Sequence, residues 1–212
     1  MEKTWNGLKT WHSETLSAWT MVLAVLVSSY QCLTHISTPS LLVWLHVCLH
    51  APFSIKYHSE HPFSTEEENL QNIKLDTKMI FVTHIILHAA LNWNAVPTPI
   101  SILSISLFAF IASVAIRDID KATTTAAAKQ AAIRFSWIFF IHYIPILLRG
   151  MHTIALIQFI AFVAVFGIYL CWNKMAISRT LLFKNINANN AFMHLGLVLN
   201  NLIAHFIVQG AI

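Results

Sequence analysis

The residues best suited to chemistry lie around the end of one apolar segment: Ser54, His58 and Asp76. Ser54 precedes His58 by one helical turn, so their side chains share one face of a helix. Asp76 opens the next apolar segment, and two antiparallel helices would bring its carboxylate to the depth of His58. Such ionisable groups usually face the interior of a membrane bundle and mark function. The alternative is that they are solvated residues at two helix ends.

His194, near the start of the last apolar segment, would reach the same level. A catalytic zinc ion takes three protein ligands and keeps one position open for water. His58 and His194 can supply imidazole, and Asp76 can bind the ion or hold its water as a general base. Asn190, one turn before His194, offers an amide oxygen, which is a weaker zinc ligand than imidazole. The sequence therefore predicts a zinc site with His58, His194 and Asp76 as ligands and Asn190 as the weakest donor.

The composition excludes a soluble globular domain, because 57% of the residues are apolar and only 10% are charged. The three cysteines are odd in number and lie inside apolar blocks, which argues against a disulfide framework and against a thiolate zinc site. Basic and aromatic residues are not interleaved, so nucleic acid is not an expected partner. The expected class is an integral, multi-pass membrane protein with membrane lipid as its partner.

The apolar blocks predict an all-α protein, a bundle of seven transmembrane helices in a single domain, residues 1–212. The predicted helices cover residues 16–33, 39–58, 76–93, 97–116, 131–148, 152–172 and 190–209. Residues 1–15 form an N-terminal arm, residues 122–132 a helical lead into the fifth helix, and Glu66–Glu68 part of a solvated loop.

The basic residues predict the orientation of this bundle. Of the 13 Lys and Arg residues, twelve fall on alternate connections, and Arg149 alone lies on the opposite side. Because cytoplasmic loops carry the excess of Lys and Arg, the N-terminus is expected in the cytoplasm and the C-terminus outside. The predicted zinc site then lies at the cytoplasmic face.

Six further histidines lie deeper in the predicted helices. At about 1.5 Å per residue, His50 and His84 are expected about 12 Å from the level of His58 and Asp76, near the middle of the bilayer. These residues either join helices through hydrogen bonds without further function, form a path or site for protons or ions, or contact a ligand in a lipid pocket. The six are His46, His50, His84, His88, His142 and His205.

Three separated stretches resemble a known family. They are His12-Ser13-Glu14-Thr15-Leu16-Ser17-Ala18-Trp19-Thr20, the Ser54-x3-His58 motif with the later Lys74-Leu75-Asp76, and the last helix around His194 with His205 and Phe206. Together they are similar to the progestin and adipoQ receptor family, which includes the adiponectin receptors and bacterial hemolysin III-type proteins. That family belongs to a superfamily of seven-helix membrane hydrolases that also holds the alkaline ceramidases. The chain departs from the family's His-x3-His pattern at Asn190.

The resemblance implies a zinc ion near the cytoplasmic face with His58 and His194 as ligands. It implies that Asp76 holds or activates the zinc-bound water, that Ser54 hydrogen-bonds in support, and that Glu14 helps to close the site. The expected function is zinc-dependent hydrolysis of a lipid amide or ester, with a ceramide-like sphingolipid as the first substrate, and with Asp76 and Ser54 as the catalytic residues. A receptor-like protein that binds lipid or a partner without turnover is one alternative, and ion or proton transport through the deeper histidines is another.

Overall fold

The computed structural model describes residues 2–171 and 188–210, and within these ranges every regular element is helical. The α-helices are α1 (Glu2–Lys9), α2 (Thr15–Thr34), α3 (Thr38–Glu60), α4 (Glu66–Asn92), α5 (Thr98–Asp120), α6 (Thr125–Phe135), α7 (Tyr143–Leu148), α8 (His152–Cys171) and α9 (Ala188–Gln209). Two 3-10 segments cover His61–Phe63 and Ser136–His142. The basic residues between the sixth and seventh predicted helices are Lys174, Arg179 and Lys184, and they lie outside the described residues.

Six stretches of the described chain are long and apolar enough to cross a membrane. They are Thr15–Thr34, Thr38–Phe63, Thr98–Asp120, Thr125–Leu148, His152–Cys171 and Asn190–Gln209. This is the architecture of an integral membrane protein, so the predicted all-α membrane class is confirmed. Helix α4 has 27 residues, but its charged and polar side chains keep it out of this group, which has six members where the sequence predicted seven.

The start of α4 differs from the prediction. The Thr65 side chain accepts a hydrogen bond from the Glu68 backbone N–H, and the Glu68 carboxylate accepts one from the Thr65 backbone N–H. This capping box begins the helix at Glu66, and the acidic residues favour its positive end. The bond from Thr65 and another from Lys3 lower the pKa of Glu68. The predictions that this helix opens at Asp76 and that Glu66–Glu68 belongs to a loop are therefore wrong.

The fifth predicted helix is not continuous. Its span divides into α6, the 3-10 segment Ser136–His142 and α7. Pro145 lies in α7, has no N–H to bond the carbonyl of Ile141, and crowds that carbonyl with its ring. The 3-10 backbone immediately before the proline is the tighter helix that such positions adopt. The predicted crossing over residues 131–148 thus lies within one stretch able to cross a membrane, Thr125–Leu148, but its backbone is not α-helical throughout. The predicted helical lead over 122–132 corresponds to α6.

Helix α4 lies at the centre of the described bundle because it contributes to three apolar clusters. The smallest joins its Ile73 to Tyr57 and Ala128, and the other two are larger. In one cluster its Leu87 and Leu91 pack with residues of α3, α7, α8 and α9. In the other its Phe81 packs with Phe108 and Ile138 from α5 and the 3-10 segment. The same helix carries Asp76, so the packing on both of its sides fixes where that carboxylate lies.

The predicted N-terminal arm contains α1, which packs across the end of α3. Gly7 is buried against Ser59, and the Thr4 hydroxyl donates to the Glu60 carboxylate at 2.5 Å. Trp5 on the same helix is exposed, which suits a helix at a membrane surface. Helix α1 is therefore held against the end of the bundle nearest to His58.

We expect Gly7→Ala to detach α1, because the new Cβ would collide with the carbonyl group of Ser59. Overpacking of this kind costs about 1–3 kcal/mol. Hydrogen–deuterium exchange should show faster exchange over Glu2–Lys9. Gly167→Ala is the matched control, since a Cβ there would meet nothing within 4 Å. Unchanged exchange in Gly7→Ala would contradict the tight packing of α1.

Candidate functional site

His58 lies near the end of α3 and is held by a carboxylate from another helix. Its Nδ1 lies 3.0 Å from a carboxylate oxygen of Glu14, the residue just before α2, and both side chains are buried. The ring of His58 meets the ring of His194 edge to face, with 4.9 Å between the centroids. Two of the predicted metal ligands, from α3 and α9, are therefore neighbours.

His194 is oriented from the other side by α2. Its Nδ1 lies 3.1 Å from the carbonyl oxygen of Ser17, which can only accept a hydrogen bond, so the ring donates through Nδ1. The carboxylate of Glu14 imposes the same tautomer on His58. In the neutral form of each ring, Nε2 is then the nitrogen with a free lone pair. Histidines that bind metals usually have this support at the other ring nitrogen.

Asp76 lies deeper than predicted and is paired with His50. Its Oδ1 is 2.9 Å from Nε2 of His50, and the two side chains are 8% and 6% exposed. His50 lies ten residues before the end of α3 at Glu60, and Asp76 lies ten residues after the start of α4 at Glu66. In an antiparallel helix pair such residues are level, so the expected 12 Å between the levels of His50 and Asp76 is wrong.

Asn190 and Ser54 are both buried, but they make different contacts. Asn190 donates from Nδ2 to the Glu14 carboxylate at 3.3 Å, so Glu14 lies between Asn190 and His58. The Ser54 hydroxyl has no hydrogen-bond partner among the described residues. The predicted hydrogen bond from Ser54 in support of a metal ligand is therefore not formed.

A cavity of about 200 Å³ reaches this group of residues. Its walls come from α3, α4, α6, α7, α8, α9 and the 3-10 segment between α6 and α7. Its polar lining includes Tyr57, His58, Asp76, Lys129 and Asn190, and its larger apolar lining includes Phe139, Phe140, Phe162, Phe166 and Leu197. The cavity therefore offers an apolar enclosure that is continuous with His58 and Asp76.

No family model, curated protein or solved structure matches this chain. The resemblance to the progestin and adipoQ receptor family stays a prediction that depends on the three quoted stretches.

The described side chains meet only part of what a catalytic zinc ion needs. His58 and His194 provide two oriented imidazoles, but Asp76 is bound to His50 and position 190 is an amide. Among residues 2–171 and 188–210, no group of three or more His, Cys, Asp or Glu residues is arranged to hold a metal ion. In the described arrangement the residues thus supply two of the three ligands that zinc needs, and zinc binding stays a prediction.

Four of the deeper histidines form a row across α3, α4 and the 3-10 segment. The rings of His46 and His84 are 4.6 Å apart, and those of His84 and His142 are 5.5 Å apart. His142 and His88 approach through their Nδ1 atoms at 3.1 Å, and His88 bonds Ser104 through Nε2 at 2.8 Å. Only the contact between His88 and His142 is a hydrogen bond between two rings of this row. Transport through the row therefore stays a prediction.

His205 joins three helices. Its Nε2 lies 2.9 Å from the Ser28 hydroxyl of α2, and its Nδ1 lies 3.1 Å from the Ser40 hydroxyl of α3. All three side chains are buried, and none lines the cavity. This is the pattern of interhelical hydrogen bonds that stabilise a bundle. The sequence identified His205 but not its serine partners, since serines are common in apolar segments.

Proposed function

We propose that this chain is a membrane hydrolase of the progestin and adipoQ receptor type that cleaves an amide or ester bond of a lipid, with zinc as its cofactor and ceramide-like sphingolipids as the first substrates to test. One observation carries the proposal. His58 and His194 are adjacent and buried, and the Nδ1 atom of each ring is already engaged, by Glu14 and Ser17 respectively. Of these two rings, His58 also lines the apolar cavity.

In this proposal His58 and His194 would hold the ion, and Asp76 would be the third donor. Asp76 would have to exchange its bond to His50 for the ion, and it lines the same cavity as His58. When bound, zinc would supply a Lewis acid for the lipid carbonyl and would lower the pKa of water towards neutrality. Glu14 and the Ser17 carbonyl keep the two imidazoles in one orientation.

The remaining chemistry falls to the chain's own groups. Asp76 accepts the proton from the attacking water and returns it to the leaving group. The apolar walls of the cavity keep bulk water from the lipid chain.

The same proposal includes seven membrane crossings, with the N-terminus in the cytoplasm and the C-terminus outside. The seventh crossing in this proposal is α4, and its packing against α3, α5 and α6, which belong to stretches able to cross a membrane, supports this. Its polar side chains Asp76 and His84 are buried among those helices, so they need not face lipid. The basic residues on alternate connections support the orientation.

The test is the metal content and lipid turnover of the purified protein. We expect about one zinc per chain in the wild type, and its loss in His58→Ala and in His194→Ala. Hydrolysis of a fluorescent ceramide should fall at least about 100-fold in both variants. His152→Ala is the matched control, because His152 is exposed at the start of α8. Zinc and hydrolysis that persist in His58→Ala would overturn the proposal.

A second candidate is a receptor-like protein that binds lipid without cleaving it. It is favoured by the bonds from Asp76 to His50 and from Asn190 to Glu14, since these satisfy the polar groups without a metal. A folded, zinc-free wild type that binds lipid but does not hydrolyse it would decide for this candidate.

A further inference from the structure

The cavity carries one cationic side chain that the proposed hydrolysis does not use. Lys129 of α6 is half-buried, and it is the only Lys or Arg among the described residues that line the cavity. Its Nζ lies 5.8 Å from the centroid of the Tyr57 ring. The ring of Tyr57 is in turn 4.8 Å from that of His58. Lys129 is therefore one side chain away from the candidate site.

Several other basic side chains at this end of the bundle have carboxylate partners. Lys78 bonds Asp120 at 2.7 Å, and Arg134 bonds Asp118 at 2.9 Å. Lys129 makes no ion pair within the described part of the chain. A half-buried ammonium without a counter-charge is unfavourable, so an anion next to Lys129 would be stabilised.

Neighbouring hydroxyl groups do not compete for this role. The hydroxyl of Thr77 donates to the carbonyl oxygen of Ile73, and the hydroxyl of Ser136 donates to that of Ile133. Both line the cavity, but their protons are already used within their own helices. The ammonium of Lys129, by contrast, has hydrogens to offer to an anion.

We propose that Lys129, beside Tyr57, binds the phosphate head group of an anionic lipid whose hydrocarbon chain occupies the cavity. The occupant follows from charge complementarity at Lys129 and from the phenylalanine-rich lining, which suits a hydrocarbon chain. The inference rests on the proposed function and deepens it, because it names phosphorylated sphingolipids as the substrate class. The head group would lie at Lys129, with the bond to be cleaved towards His58.

The test compares two lipids that differ only in the phosphate, ceramide 1-phosphate and ceramide, by native mass spectrometry of the detergent-purified protein. We expect the wild type to bind the phosphorylated lipid about five-fold or more tightly than ceramide, as a single lysine–phosphate contact predicts. Lys129→Gln should abolish this preference and Lys129→Arg should keep it. Lys121→Gln is the matched control, since Lys121 is exposed on the connection between α5 and α6 and does not line the cavity.

Two results would overturn the inference. One is a wild type without preference for the phosphorylated lipid. The other is a preference that Lys129→Gln retains, or that Lys121→Gln loses equally, which would indicate general attraction to a basic surface.

His58→Ala separates this inference from the proposed hydrolysis. A phosphate preference that persists in His58→Ala, when none of the proteins hydrolyses lipid, supports the head-group site and rejects the hydrolase. If the wild type hydrolyses ceramide but does not prefer the phosphorylated lipid, the hydrolase is supported and the head-group site at Lys129 is rejected.

Discussion

Asp76→Ala is expected to lower the free energy of unfolding by about 1–3 kcal/mol, the cost of leaving one partner of a buried hydrogen bond unsatisfied. Asp76 and His50 are almost fully buried and 2.9 Å apart. The alanine would leave the His50 ring without its partner between α3 and α4. Unfolding in mixed micelles with increasing dodecyl sulfate, followed by circular dichroism, measures the change. A chelator in every sample keeps metal binding out of the comparison.

The matched control is Asp118→Ala. Asp118 pairs with Arg134 at 2.9 Å, but these side chains are 33% and 63% exposed, so water replaces the lost contact and the cost should stay below about 1 kcal/mol. A double-mutant cycle with His50→Ala isolates the pair and should give a coupling energy of about 1–3 kcal/mol. The prediction would be contradicted if Asp76→Ala and Asp118→Ala lost the same free energy of unfolding. It would also be contradicted if the losses in Asp76→Ala and His50→Ala simply added, because the buried pair would then not stabilise the bundle.

The same pair shows what the sequence could and could not predict. Apolar blocks bounded by prolines and polar turns placed α2, α3, α5 and α9 within a few residues of their observed ends, since hydrocarbon length and backbone breakers determine such helices. Seven of the first ten residues of α4 are polar, so hydropathy located only the more apolar remainder of that helix. The capping signal from Thr65 to Glu68 was in the sequence, and it would have placed Asp76 level with His50.

The candidate site, like the fold, was only partly predictable from the sequence. The approach of His58 and His194 could be expected, because the predicted topology puts both at one end of the bundle. The hydrogen-bond partners that orient these two rings could not be predicted. The contacts with Glu14 and the Ser17 carbonyl depend on how α2 is rotated about its axis. From the sequence, Lys129 contributes only to the predicted orientation of the bundle in the membrane. The spacing of residues along α6 does not reveal which basic residue faces a cavity.

Asn190→His is expected to raise zinc affinity on the order of 100-fold. The new imidazole would lie one turn before His194 on the same face of α9, next to His58, and would add the third nitrogen ligand that the described residues lack. Loss of an outer-shell partner of a metal ligand already costs about 10–100-fold in affinity, so a whole ligand should count at least as much. Competition for zinc with a chelating dye measures the change.

Asn201→His is the control for this substitution. Asn201 is also buried on α9, but it lies eleven residues from position 190, which is about 16 Å along the helix. A histidine there adds an imidazole of the same chemistry without reaching His58. If the two variants bind zinc equally well, His58 and His194 are not the core of a metal site, and their fixed tautomers serve packing. A gain in zinc affinity that occurs only in Asn190→His would instead mean that His58 and His194 are positioned for a three-histidine zinc site. The side chain at position 190 would then determine how tightly that site binds zinc.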